Sequence, residues 1–134
     1  MILGIGTDIV EIARIRAAWE RNPEHFADTI LSPEEKLLLE QRNSVEKKAE
    51  FLAGRWAAKE AFSKALGTGM GEGCSFFEIG ILPGTRGGPV LASLTGKAAK
   101  SASELGVIRV HISISHEKNH AVATVLLEGK ERQD

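Results

Sequence analysis

Apolar and polar residues alternate at the start of the chain. Residues 2–9 (ILGIGTDI) read as a strand, with Leu3, Ile5 and Ile9 on one face and Gly4, Gly6 and Asp8 on the other. Two glycines beside one carboxylate leave room over that second face for a ligand or a neighbouring backbone. From Val10 the spacing turns helical: Ile12, Ile15 and Trp19 form an apolar stripe, and Arg14 and Arg21, seven positions apart, share another side. Asn22-Pro23 reads as a stop or turn, followed by a short helical stretch through Phe26 and Ile30. Ser32-Pro33-Glu34-Glu35 then reads as a helix start, with Ser32 as cap, Pro33 in the first turn and Glu35 closing a capping box.

The longest predicted helix runs from about Ser44 to Leu66, rich in Ala, Glu, Lys and Leu, with Phe51, Ala58, Phe62 and Ala65 as its apolar stripe. Gly54 within it costs about 1 kcal/mol against alanine unless something packs closely there. Gly67 is a natural stop and opens a glycine-rich loop to Gly73. Beyond it the pattern predicts a strand over 75–82, a turn over 83–89, a short strand over 90–93 and a helix from Thr95 to Leu105 ending at Gly106. A closing hairpin over 107–115 and 120–127 follows, its first strand alternating Ile108, Val110, Ile112 and Ile114 with Arg109, His111, Ser113 and Ser115. The fold class is therefore α+β, helices packed on a small, mainly antiparallel sheet. Residues 1–127 form one domain and the polar stretch 128–134 a frayed tail.

Composition narrows the function. At 134 residues the chain suits one domain, and 17 Lys+Arg against 18 Asp+Glu give a net charge of −1. That balance disfavours nonspecific nucleic-acid binding, which needs excess positive charge. No apolar run approaches the roughly 18 residues of a membrane helix. The N-terminal sequence lacks the pattern of a signal peptide, and the single Cys74 fits a reducing compartment, so a cytoplasmic protein is expected.

Two carboxylates stand out. Asp8 near a strand end and Glu60 on the long helix suit Mg²⁺, which takes one or two carboxylates and completes its shell with waters and substrate phosphates. Asp8 suits equally well the cap of the helix after it. Glu60 and Lys64, four apart, read either as a surface ion pair or as a metal or proton ligand beside a phosphate-binding lysine. Lys64 stands just before the glycine-rich loop, whose N–H groups can approach phosphate closely. The loop is not a Walker A motif, and Gly4-Ile5-Gly6 lacks the third glycine of a dinucleotide fingerprint. His111, with Ser113 and Ser115, and His116 at the strand end lack the nucleophile elbow of a covalent hydrolase.

Together GIGTDIVEIARI at 4–15, FLAGRWAAKEAFSKALGTG at 51–69, and HISISHE at 111–117 followed by AVATV at 121–125 resemble the holo-acyl-carrier-protein synthases, the small stand-alone phosphopantetheinyl transferases. The resemblance covers nearly the whole chain. It implies the phosphopantetheinyl transferase fold and transfer of the 4′-phosphopantetheine arm of coenzyme A to a serine of an acyl carrier protein, releasing adenosine 3′,5′-bisphosphate, in support of fatty acid biosynthesis. It implies Mg²⁺ at Asp8 and Glu60, and coenzyme A against Lys64, Gly67, Thr68, Gly69 and His111, with Arg55 and Lys47 as further candidates for the nucleotide phosphates. It also implies a carrier surface at Arg14 and Arg21 and a homotrimer with active sites between subunits. The base that deprotonates the carrier's serine is left open between Glu60 and a water on the metal. One departure stands out: after the first helix, where relatives often carry basic residues, this chain has Glu24 and Asp28. A binding module without turnover and a metal-assisted phosphohydrolase are the competing readings.

Overall fold

The computed structural model describes residues 1–131. Its elements, in chain order, are β1 (Ile2–Glu11), α1 (Ile12–Arg21), α2 (Pro23–Ile30), α3 (Pro33–Glu40), α4 (Val45–Leu66), β2 (Ile79–Pro83), β3 (Pro89–Leu94), α5 (Gly96–Leu105), β4 (Val107–His116) and β5 (His120–Gly129). A 3₁₀ turn, Phe76–Glu78, precedes β2. One antiparallel sheet has the order β1-β5-β4, and β2 and β3 form a separate antiparallel pair. The expected α+β class holds.

The long helix α4 lies across the inner face of the three-stranded sheet, and glycine decides how close it comes. A Cβ on Gly4 would stand 2.1 Å from the Ala65 carbonyl oxygen, and one on Gly6 only 2.0 Å from that of Ala61. The room over this face of β1 is thus filled by a neighbouring backbone. Gly54 serves the same purpose on the far strand, where a Cβ would meet the Ile114 side chain at 3.1 Å. Ala53, Ala57, Ala58 and Ala61 are fully buried between these contacts. The burial of α4 extends well beyond the predicted stripe, because the sheet covers one side and α1, α3 and α5 approach others.

Several local expectations are met. Ser32 and Glu35 form the reciprocal capping box of α3, and Gly67 ends α4 in the left-handed conformation at φ 82°. The structure adds a cap at Ser44, whose side chain accepts from the Lys47 N–H. Other expectations are corrected. β1 continues to Glu11, paired with His120 of β5, so strand pairing overrides the helical spacing that starts at Val10. β5 likewise extends through Glu128 and Gly129, two residues into the predicted tail, with Glu128 opposite Arg109. Residues 132–134 of that tail lie outside the described residues.

A charged cluster is buried behind α4. Lys59 and Glu35 are both fully buried. The Lys59 ammonium donates to Glu35 Oε1 at 2.6 Å and to the Ile30 carbonyl at 2.6 Å. Burial lowers Lys59 to about 8, opposed by the attraction of Glu35.

Candidate active site

On the inner face of β1, beyond the two glycines, Asp8 meets the side of α4 that carries Glu60 and Lys64. Lys64 Nζ donates to Asp8 Oδ1 and to the Thr7 carbonyl, both at 3.0 Å. The predicted Glu60–Lys64 pair is therefore not the ion pair that forms; Lys64 reaches across to the strand instead. The capping reading of Asp8 also fails. Glu11 stands at the N-cap of α1, and Asp8 is within the strand. The Asp8 side chain is 16% exposed and that of Lys64 53% exposed, so the group lies at the rim of the helix–sheet junction.

The electrostatics mark Glu60 as under-neutralised. Burial first, and then the charge of Asp8, raise its carboxyl above the ordinary range, while Lys64 pulls the other way. A divalent cation would relieve that repulsion. Asp8 and Glu60 fit a hard, oxygen-seeking ion such as Mg²⁺, which needs few protein ligands. Among the described residues no group of three or more His, Cys, Asp and Glu side chains is placed to hold a metal.

Immediately beyond Lys64, α4 ends at Gly67, whose N–H bonds the carbonyls of Ser63 and Lys64. Thr68 and Gly69 follow as an exposed turn, with Gly69 also at positive φ. Lys97 Nζ bonds the Gly71 carbonyl at 2.8 Å and Ser101 Oγ that of Gly73 at 2.6 Å, so α5 holds the far end of this loop. The structure thus brings Asp8, Glu60, Lys64 and the Gly67–Gly69 turn to one rim.

The other candidates lie elsewhere. Lys47 and Arg55 line a second cavity of about 310 Å³, shared with Arg42, Glu50 and His116. Arg42 and His116 are members that sequence reasoning missed. His116 ends the HISISH run, but nothing in a single sequence puts it across from α4 rather than beside Ser113. Arg55 and Glu60, five positions apart, point about 140° apart around α4 at 3.6 residues per turn. The cavity and the carboxylate rim therefore belong to different sides of the helix. His111 joins neither group within this chain. It lies on the outer face of the sheet, with Nε2 2.9 Å from Glu128 Oε1. Arg14 and Arg21 are exposed on α1 with no carboxylate partner among the described residues, whereas Arg16 between them pairs with Glu20 and Glu46.

Comparison with known proteins decides the family. Residues 4–125 match the family model described as the 4′-phosphopantetheinyl transferase superfamily. The holo-(acyl-carrier-protein) synthase of Vibrio cholerae serotype O1 is 48% identical over 128 residues, 96% of this chain and 98% of the relative. The chain belongs to the holo-(acyl-carrier-protein) synthase family of 4′-phosphopantetheinyl transferases. It is thus an enzyme of the transferase class. Solved members of that family share its fold. The synthase of Neisseria meningitidis aligns with a TM-score of 0.85 at 41% identity, covering 96% of this chain and 99% of that one. The Bacillus anthracis synthase, in complex with CoA (3′,5′-ADP), aligns with a TM-score of 0.78 at 42% identity, covering 97% and 99%.

Proposed function

We propose that this protein transfers the 4′-phosphopantetheine group of coenzyme A to a serine hydroxyl of an apo acyl carrier protein, releasing adenosine 3′,5′-bisphosphate, and that it does so in the cytoplasm in support of fatty acid biosynthesis. The observation that carries the reading is the rim where Asp8 and Glu60 face Lys64 beside the Gly67–Gly69 turn. The carrier's serine attacks the β-phosphorus of the coenzyme A diphosphate, and the bond to the nucleotide phosphate breaks. Negative charge grows on the non-bridging oxygens and the leaving phosphate, so preorganised positive charge lowers the barrier. Lys64 supplies one such charge, held by Asp8 and Thr7 until the diphosphate arrives. Mg²⁺ at Asp8 and Glu60 would supply Lewis-acid stabilisation of the same oxygens. Glu60, with its raised proton affinity, suits the base that takes the serine proton. The chain needs no nucleophile of its own, which accounts for the missing hydrolase triad.

The cavity of Arg42, Lys47, Arg55 and His116, basic despite Glu50 at 3.5 Å from His116, suits the phosphates of the nucleotide. It lies on another side of α4 from the rim, which supports a coenzyme A site shared between two copies of the chain. The outer face of the three-stranded sheet supports such an assembly. Ile5 and Ile9 are each 65% exposed there, beside Val122 and Leu126 in register. A homotrimer covers that face and also buries His111 near a neighbour. Arg14 and Arg21, exposed and without a carboxylate partner among the described residues, suit an acidic carrier protein, with Glu24 and Asp28 on α2 setting a limit to how far the basic surface extends.

The test is chromatographic detection of adenosine 3′,5′-bisphosphate from coenzyme A. Release that requires both apo carrier and Mg²⁺ is the expected result. Release without carrier would point to a phosphohydrolase instead.

A further inference from the structure

The Glu35 carboxylate lies at the junction of α3, α4 and β2, and its contacts lead to the basic cavity. Its Oε1 accepts from the Ser32 backbone N–H at 2.8 Å and from Lys59 Nζ at 2.6 Å. Its Oε2 accepts from the Ile81 N–H of β2 at 3.0 Å and stands 3.5 Å from Arg55 Nε. Arg55 Nε in turn donates to the Ile81 carbonyl at 3.0 Å. Its guanidinium carbon lies 4.6 Å from the centre of the Phe51 ring. The guanidinium is thus held at Nε by the Ile81 carbonyl, with the Glu35 carboxylate beside it and the Phe51 ring against its face, while Arg55 also lines the cavity with Lys47 and His116.

A capping box needs only a side-chain oxygen from Glu or Gln at the helix start, not a charge. Here the same carboxylate is fully buried and carries two extra cationic neighbours, Lys59 and Arg55. The arrangement goes beyond what capping α3 requires. A guanidinium recognises phosphate through a planar fork, so its orientation decides the strength of the contact.

We propose that Glu35 is a positioning residue for Arg55, fixing the guanidinium plane in the basic cavity and so setting the preference for a donor that carries the adenosine 3′-phosphate. The inference rests on the reading of that cavity as a nucleotide-phosphate site. The reacting diphosphate is engaged at the Asp8–Glu60–Lys64 rim, and the 3′-phosphate is the phosphate of coenzyme A that lies apart from it. Lys59 completes the device by neutralising Glu35 from the other side, which leaves the carboxylate's second oxygen to Ile81 and Arg55.

The readout is the ratio of KM for 3′-dephospho-coenzyme A to KM for coenzyme A, at saturating apo carrier. It is measured in full-length wild type, Arg55→Ala, Glu35→Gln and the double variant Glu35→Gln/Lys59→Met. The double variant removes both buried charges together, which avoids leaving Lys59 unpaired. Loss of folded protein alone lowers the active fraction and leaves the ratio unchanged. The ratio is expected to fall about tenfold in Arg55→Ala and by a similar factor in the Glu35 variants, the scale on which outer partners tune a binding group. An unchanged ratio in Arg55→Ala would overturn the phosphate reading of the cavity and the proposal with it. A fallen ratio in Arg55→Ala beside an unchanged one in either folded Glu35 variant would overturn the positioning role alone. Failure of both Glu35 variants to fold would make the residue purely structural and would equally overturn it.

Discussion

Lys64 bridges to Asp8 rather than to the nearer residue in sequence, Glu60, and that choice leaves Glu60 short of a counter-charge. Two predictions follow at this scale. Glu60→Gln keeps the fold, because the side chain lies at a rim, and lowers transfer by at least about 10²-fold, as loss of a charge-stabilising group does. In differential scanning fluorimetry, Mg²⁺ raises the melting temperature of the wild type at neutral pH but not that of Glu60→Gln. As pH falls through the titration of Glu60, protonation relieves the repulsion from Asp8, so the Mg²⁺-induced rise shrinks. The second prediction concerns Cys74, which is fully buried with its thiol pushed up to about 11, burial being the main cause and Glu78 adding to it. At pH 8 iodoacetamide labels Cys74 only after denaturation, read by mass spectrometry; rapid labelling of the native protein would contradict its burial. Of the candidate site residues, Asp8, Glu60 and Lys64 were legible because each stands in a recognisable motif. Arg42 and His116 were not, because the cavity they share is made by packing β4 against α4, and nothing in their local sequence distinguishes them from solvated residues. Lys59 was equally hidden, since a buried lysine on a helix looks like an exposed one until its partner Glu35, far away in sequence, is in place.

Elements were legible where local chemistry decides them. The capping box at Ser32 and Glu35 and the helix stop at Gly67 read directly from residue type. Element ends fixed by pairing were not legible. β1 runs on to Glu11 and β5 to Gly129 because each finds a partner strand, which no local spacing reveals. The two glycines of β1 carry the sharpest prediction for packing. In Gly6→Val the new Cβ would meet the Ala61 carbonyl oxygen at 2.0 Å, and backbone cannot yield as a flexible side chain does. The variant is expected to lose about 3 kcal/mol or more in urea denaturation. A loss below about 1 kcal/mol would contradict the close helix–strand contact. For the buried charges, Lys59→Met alone is expected to cost about 3–5 kcal/mol, because it leaves Glu35 without its ammonium.

Across the molecule, the inner face of the sheet is covered by α4, while the outer face of β1 and β5 leaves apolar side chains exposed. Ile5 and Ile9 at 65% exposure sit in register with Leu126 and Val122. Exposed contiguous apolar surface of this kind marks an interaction site. Ile9→Lys is expected to leave the fold stability within about 0.5 kcal/mol, as surface changes do, while light scattering shows dissociation to monomer and transfer is lost. An undiminished oligomer would contradict the sheet-face assembly. The fold class was legible from the order of periodic segments, but the placing of the carboxylate rim and the Arg55 cavity on different sides of α4 was not, since that follows from which faces of the helix the strands cover. The most direct test of the transferase reading is intact-mass spectrometry of an apo acyl carrier protein incubated with coenzyme A, Mg²⁺ and this protein. A gain of one phosphopantetheine arm with wild type, lost with EDTA and with Glu60→Gln, is the predicted result. An unmodified carrier with folded wild-type protein, across several apo carriers, would contradict it.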